Sequence, residues 1–230
     1  MELNHILFIP DGNRRWAKQK NQDLWEGHKA GAEGFKDLME YITKNNVVKN
    51  ISFWAMSKDN FIKRSKKEIS FLIKVINETF KSFTKDKTIN ERGVNIKFYG
   101  EWEKLFDKKT IANLKRIEND TKNNKNFNLA ILLAYDGKAE LLEAINKLKN
   151  KTKIHEADIK NNLWTAKVPD VDLIIRTGVQ GDPHLSGNVL LWQTSYSQLY
   201  FSELFWPDFN VSEFKKAIVD YNKRERREGK

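Results

Sequence analysis

Short runs of β-branched and aromatic residues alternate along this chain with longer stretches of helical period. The runs are His5 to Pro10, Asn50 to Met56, Val94 to Tyr99, Phe127 to Tyr135 and Val171 to Thr177, with a sixth around Leu199 to Phe201. Ile6-Leu7-Phe8-Ile9 and Leu173-Ile174-Ile175 are apolar at every position, as expected of strands covered on both faces of a parallel sheet. Between the runs, Phe35, Leu38, Met39 and Ile42 form a helical stripe. Ile69, Leu72, Ile73, Ile76, Phe80 and Phe83 form a second, preceded by the capping box Ser65-x-x-Glu68. Leu141, Leu142, Ile145 and Leu148 give a third stripe, and Phe214, Ala217, Ile218 and Tyr221 a fourth. The alternation predicts an α/β fold, with a central, mostly parallel sheet of about six strands flanked by helices, in a single domain over 1–230.

Polar residues collect just after the strands. Asp11-Gly12-Asn13-Arg14-Arg15 follows the first, Ser57-Lys58-Asp59-Asn60 the second, Tyr135-Asp136-Gly137 the fourth and Arg176-Thr177-Gly178 the fifth. A parallel sheet brings these carboxyl ends to one edge, where open α/β sheets bind ligands. Gly, Asn and Asp make turns anywhere, which is explanation enough for Gly100 and Gly137. A carboxylate, a permissive glycine and two arginines opening a helix say more: guanidiniums and free N–H groups suit a diphosphate, and the carboxylate suits the Mg²⁺ that accompanies one.

Charge and composition narrow the field. The net charge is +10, from 41 basic and 31 acidic side chains, which favours anionic partners. Only nine of the basic residues are arginines, and Arg14, Arg15, Arg64 and Arg176 fall at or near strand ends, a placement that fits a phosphate site better than a smeared basic surface. The absence of cysteine excludes disulfides, thiolate nucleophiles and Cys-based zinc sites. No apolar run is long enough for a membrane span and the N-terminus has no signal-peptide pattern, so a soluble, cytoplasmic protein is expected.

The motifs resemble those of the cis-prenyltransferases, the family of undecaprenyl diphosphate synthase, along essentially the whole chain. The similarity runs through His5 to Lys18, Gly27-His28-Lys29-Ala30-Gly31, Ser57-Lys58-Asp59-Asn60-Phe61 with Lys63-Arg64-Ser65, and Tyr135-Asp136-Gly137-Lys138. It continues through Asp172 to Gly178, Leu190-Leu191-Trp192-Gln193 and Trp206-Pro207-Asp208-Phe209. The resemblance implies condensation of isopentenyl diphosphate with an allylic diphosphate to a Z-polyprenyl diphosphate, with Mg²⁺ and an apolar tunnel for the growing chain. It also implies roles. Asp11 handles Mg²⁺ and ionisation, and Asn60 sits near the departing proton. Gly12, Asn13, Arg14, Arg15 and His28 hold the allylic diphosphate. Arg64, Arg176, His184 and Ser186 serve isopentenyl diphosphate, Ser57 belongs to the same substrate site, and Trp16 and Phe61 wall the reacting carbons. The tunnel lining is expected from the Ile69 to Phe83 stripe and Phe53; ordinary core has the same periodicity. His5 reads as a satisfied core residue and His155 as a surface one.

The chain departs from the family pattern at several points. Gln198 stands where a glutamate usually helps organise Mg²⁺, and His184 where an arginine is usual. Leu24 replaces an arginine, Asp59 a glutamate, Val179 a glycine and Gln180 a glutamate, and Ile62 is an extra residue in the third block. These changes gather on the isopentenyl and metal side, so altered metal dependence or product length is expected. They also raise the alternative of a catalytically weak or silent subunit of a heteromeric enzyme, against which the intact Asp11 block counts. A nucleic-acid binder drawing on the +10 charge and seven tryptophans is disfavoured, because no recognition module is present. The terminal Arg224-Glu225-Arg226-Arg227-Glu228-Gly229 resembles a family element that reaches across a dimer interface. A homodimer with Arg227–Gly229 at the interface is therefore expected, and the charge is compatible with peripheral membrane contact.

Overall fold

The structure is a computed structural model that describes residues 3–85, 91–185 and 188–224. Six strands form one sheet: β1 (His5–Ile9), β2 (Asn50–Ser57), β3 (Val94–Tyr99), β4 (Phe127–Tyr135), β5 (Leu173–Arg176) and β6 (Gln198–Phe201), in the order β3-β4-β2-β1-β5-β6. Every pairing is parallel. All five residues of β1 are buried, which is why its run is unbroken. On it, Ile6 and Phe8 face one layer, while Leu7 and Ile9 face the other. The edge strand β3 alternates instead, burying Val94, Ile96 and Phe98.

Among the described residues the α-helices are α1 (Asn13–Gln19), α2 (Leu24–Lys44), α3 (Lys58–Lys63), α4 (Lys66–Lys85), α5 (Trp102–Leu105), α6 (Lys108–Thr121), α7 (Gly137–Lys147), α8 (Glu156–Asn162) and α9 (Val211–Lys223). Helix α2 buries Phe35, Leu38, Met39 and Ile42 as its stripe requires, and α9 buries Phe214, Ala217 and Tyr221. Helix α4 buries Ile69, Leu72, Ile76 and Phe80; the Phe83 side chain lies outside the described residues. Its expected capping box forms by half. The Glu68 N–H donates to Ser65 Oγ at 3.2 Å, but the carboxylate turns to Arg64 at 3.3 Å and Arg14 at 3.7 Å.

One stripe is corrected by the structure. Helix α7 turns Gly137, Glu140 and Ala144 inward, while Leu142 and Ile145 are 60% and 42% exposed. Two small residues let the helix approach closely, and hydrogen-bonding partners inside make a buried glutamate tolerable there.

The sheet order places β1 between β2 and β5. Successive connections leave β1 toward β2 on one side and later return to add β5 on the other, so the chain opens a crevice at the carboxyl end of β1. The ends of β2 and β4 are irregular. Register shifts fall between Trp54 and Met56 and between Met56 and Ser57, and buried Ala134 adopts φ 47°. These bulges re-aim Ser57 and Tyr135 toward the crevice.

Candidate active site

A cavity of about 760 Å³ opens at this edge. One end is polar, with Asp11, Asn13, Arg14, Arg15, Lys18, His28, Ser57, Asp59, Asn60 and Arg64 in its wall. The other is apolar, lined by Phe35, Phe53, Leu72, Val75, Ile76, Phe80 and Trp206 among others. Along α4, Glu68 to Phe80 spans about 18 Å at the usual helical rise.

Asp11 is the centre of the polar end. Its backbone N–H donates to Thr177 Oγ1 at 3.0 Å, and that hydroxyl donates back to the Asp11 carbonyl at 2.9 Å, joining the β1 and β5 loops. The carboxylate, 42% exposed, lies 3.2 Å from Arg15 and 3.1 Å from Arg176. Gly12 is required next to it: its φ is +99°, and a Cβ would stand 2.4 Å from the Phe205 ring. Arg15 is fixed further by the Gly178 carbonyl at 2.7 Å and by the face of Phe205. Helix α1 has only seven residues, so anion binding here rests on the guanidiniums more than on a helix dipole.

Arg176, 3% exposed, donates to the His184 carbonyl at 2.6 Å, and its NH2 lies 3.1 Å from His184 Nε2. Because a guanidinium can only donate, that ring nitrogen accepts and Nδ1–H donates to the Asp182 carbonyl. Burial lowers the Arg176 pKa and the Asp11 carboxylate opposes it; for Arg64 burial again dominates, opposed by Glu68. His28 is held neutral, its pKa lowered to about 3 by burial and then by the neighbouring Arg64 and Arg14 charges. His28 Nε2, Asn13 Oδ1 and Arg176 Nε are buried without hydrogen-bond partners; of these, the two nitrogens can donate to an anionic ligand.

The structure gathers Asp11, Gly12, Asn13, Arg14, Arg15, His28, Ser57, Asn60 and Arg64 around one cavity. Arg176 and His184 sit on the other side of Asp11, outside the lining. Two expected wall residues lie elsewhere: the Trp16 indole N–H donates to Asp208 at 2.8 Å, and Phe61 stacks on Phe106. Each finds a partner away from the cavity. Ser57 also caps α3, accepting from the Asn60 N–H at 3.0 Å. Ser186 and Arg227–Gly229 lie outside the described residues. His5 is a core residue, bonded to Pro169 and Ser52, and His155 is exposed. Sequence reasoning passed over Trp54, Tyr135, Asp136 and Asn188 as lining residues. The Tyr135-Asp136 turn is legible as a strand end and as part of a family block, but neither signal says that its side chains face the cavity.

The expected link between Gln198 and the metal is not seen within one chain. Gln198 begins β6 opposite Leu173, whereas Arg176 pairs with Phe201 at the far end. That separation is about 10 Å along the strand, and Gln198 Oε1 instead accepts from Arg224 at 3.4 Å. Among the described residues no group of three or more His, Cys, Asp or Glu could hold a metal ion. Asp11 still fits Mg²⁺ in the way that ion is usually bound, by one carboxylate with substrate phosphate oxygens and water completing the shell.

Fold and site together define an open parallel α/β enzyme for a ligand with an anionic head and an apolar tail. A family model described as "Putative undecaprenyl diphosphate synthase" matches residues 9–229. The chain is 39% identical over 233 residues to an isoprenyl transferase of Rickettsia typhi, covering 99% of this chain and 98% of the relative. It is 36% identical over 236 residues to the tritrans,polycis-undecaprenyl-diphosphate synthase (geranylgeranyl-diphosphate specific) of Thermoplasma volcanium, covering 98% and 88%. Among solved structures, lavandulyl diphosphate synthase from Lavandula x intermedia in complex with dimethylallyl diphosphate superposes with TM-score 0.91 at 27% identity, covering 100% and 99%. A probable undecaprenyl diphosphate synthase from Campylobacter jejuni gives 0.80 at 28%, covering 100% of both chains. The chain belongs to the undecaprenyl diphosphate synthase family and is a cis-prenyltransferase. No helix among the described residues is long and apolar enough to cross a membrane.

Proposed function

We propose that this protein condenses isopentenyl diphosphate with an allylic diphosphate to give a Z-polyprenyl diphosphate. The observation that carries the reading is the single cavity with a guanidinium-rich mouth and an apolar interior. Arg14, Arg15, Asn13 and His28 bind the allylic diphosphate as donors, Asn13 through its amide NH2 and the neutral His28 through Nε2–H. Arg64, Arg176, His184 and Ser186 bind isopentenyl diphosphate. When bound at Asp11, Mg²⁺ supplies charge neutralisation to a diphosphate. The allylic C–O bond breaks with its electron pair going to the diphosphate, whose developing charge meets guanidiniums already in place. The double bond of isopentenyl diphosphate then provides the pair for the new carbon–carbon bond, and transfer of a proton to an oxygen of the released diphosphate restores a double bond. Asn60 serves as a hydrogen-bonding group beside that proton, since an amide is too weak a base to take it. The tail grows between α2, α4 and the sheet, past Phe53 and Ile76. The whole chain, 1–230, works as one domain in a cytoplasmic homodimer closed by Arg227–Gly229, with peripheral membrane contact to deliver its product.

The test is incubation of purified protein with isopentenyl diphosphate and allylic diphosphates of several lengths, with and without Mg²⁺, followed by mass spectrometry. A ladder differing by one isoprene unit, lost on adding EDTA, is expected. No product with any starter would overturn the reading, and turnover unchanged by EDTA would remove Mg²⁺ from it.

A further inference from the structure

Ser57, Asp59, Asn60 and Arg64 line the cavity, whereas Lys58, in the middle of the same block, does not. Lys58 opens α3, a helix of six residues that buries none of them and ends at Arg64. A helix this short is not held by its own hydrogen bonds, and the core does not grip it. Two side-chain contacts reach it from the segment after β3. The Phe61 ring stacks on Phe106 with centroids 5.7 Å apart, and Lys58 Nζ lies 2.5 Å from Glu101 Oε2.

That segment is itself fixed on the sheet. Gly100 has φ +123°, and a Cβ there would stand 2.1 Å from the Leu133 carbonyl oxygen, so glycine lets the chain press against the end of β4. The Glu101 N–H donates to the Ala134 carbonyl at 3.3 Å, Trp102 is buried, and the Phe106 N–H donates to the Trp102 carbonyl at 2.9 Å. The Glu101 carboxylate is 14% exposed and also meets Lys104 at 3.2 Å. Burial acts to raise its pKa, but Lys58 and Lys104 outweigh burial and hold it below the usual carboxylate range. An ion pair between two freely solvated side chains fixes little. Here the carboxylate is shielded from water and seated on β4, so it gives Lys58 a defined place.

We propose that Glu101 is a positioning residue: through Lys58 it fixes α3 against the sheet, and so sets Asn60 and Arg64 at the cavity, without touching substrate. This rests on the roles given to Asn60 and Arg64 above. The allylic diphosphate is held from α1 and α2, by Arg14, Arg15 and His28, so the loss of the Glu101–Lys58 contact falls on the other substrate.

Glu101→Gln, Lys58→Met and the double variant, made in the full-length protein, test it through kcat/KM for isopentenyl diphosphate and KM for the allylic diphosphate. Each single variant should lose about tenfold in the first, while the allylic KM moves less than about threefold. Because the two residues act as one unit, the double variant should lose no more than the larger single loss. Lys58→Arg keeps the cation and Lys104→Met leaves the Lys58 contact intact, so each should stay within about threefold of wild type. Losses that multiply in the double variant would overturn the proposal. So would an allylic KM that rises as far as kcat/KM falls, or a loss in Lys58→Arg or Lys104→Met as large as in Glu101→Gln. If Glu101→Gln does not fold, judged by a cooperative thermal melt, Lys58→Met against Lys58→Arg decides by the same criteria. Unchanged kinetics in variants of an active enzyme defeat this proposal alone, whereas an inactive wild type defeats the assignment beneath it.

Discussion

Two histidines are buried in neutral form, for different ends. His5 is satisfied by Pro169 and Ser52, and burial lowers its pKa. Burial, and then the charges of Arg64 and Arg14 beside it, hold the His28 pKa down at about 3. Both pKa values lie below that of an unfolded histidine, so on acidification the unfolded chain binds more protons than the folded one. For His28, stability is full above about pH 6.5 and falls as pH drops toward about 3, by up to about 1.4 kcal/mol per pH unit, and His5 contributes in the same direction. Urea unfolding at pH 7, 6 and 5 should show this loss, and His28→Asn should make the slope shallower. An unchanged slope in that variant would mean that His28 is protonated in the folded protein. His28 belongs to a legible motif, but its neutrality is not legible, because that depends on burial and on two arginines brought beside it by α1 and the turn after α3.

Elements were legible wherever one physical requirement ruled. The continuous apolar runs of β1, β2, β4 and β5 mark strands covered on both faces, and the structure places them within a residue or two of the sequence limits. The stripe on α7 misled because its inward face uses Gly137, Glu140 and Ala144, and a glutamate whose partners are distant in sequence looks like a surface charge. Trp16 and Phe61 misled similarly, since Asp208 and Phe106 are far along the chain. The bulge at Ala134 was not legible either. Its φ of 47° in a buried, non-glycine residue costs about 1–2 kcal/mol. Ala134→Gly should relieve that strain against a greater loss of chain entropy, changing stability by less than about 1 kcal/mol. Ala134→Val, forcing a β-branched residue into the same conformation, should destabilise by more than about 2 kcal/mol. Thermal melts of the two variants check the sign, and equal effects would show that the backbone conformation is not what matters.

At the scale of the molecule, three loops from separate parts of the chain meet at one sheet edge, and their charges are mutually arranged. Asp11 neutralises Arg15 and Arg176, while Glu68 lies between Arg14 and Arg64. These ion pairs hold the guanidiniums apart from one another and ready for a more highly charged anion. Arg224, just beyond α9, donates to the Leu199 carbonyl at 2.9 Å and pairs with Asp220, so it ties the last helix to β6. Truncation after Arg224 spares those contacts and removes Arg226, Arg227 and Gly229. Turnover should fall by about tenfold or more if the tail completes a neighbouring site, with the melting temperature unchanged; full activity would leave the tail without a catalytic part.

If diphosphate heads gather beside Asp11 and Arg176 while the hydrocarbon runs inward along α4, a crystal structure with isopentenyl diphosphate and a non-ionisable thio analogue of an allylic diphosphate will show it. One diphosphate is expected in contact with Arg14 and Arg15, the other in contact with Arg64 and Arg176, and the allylic tail between Phe53 and Ile76. A tail lying in solvent, or either head bound away from the carboxyl end of β1, would contradict it.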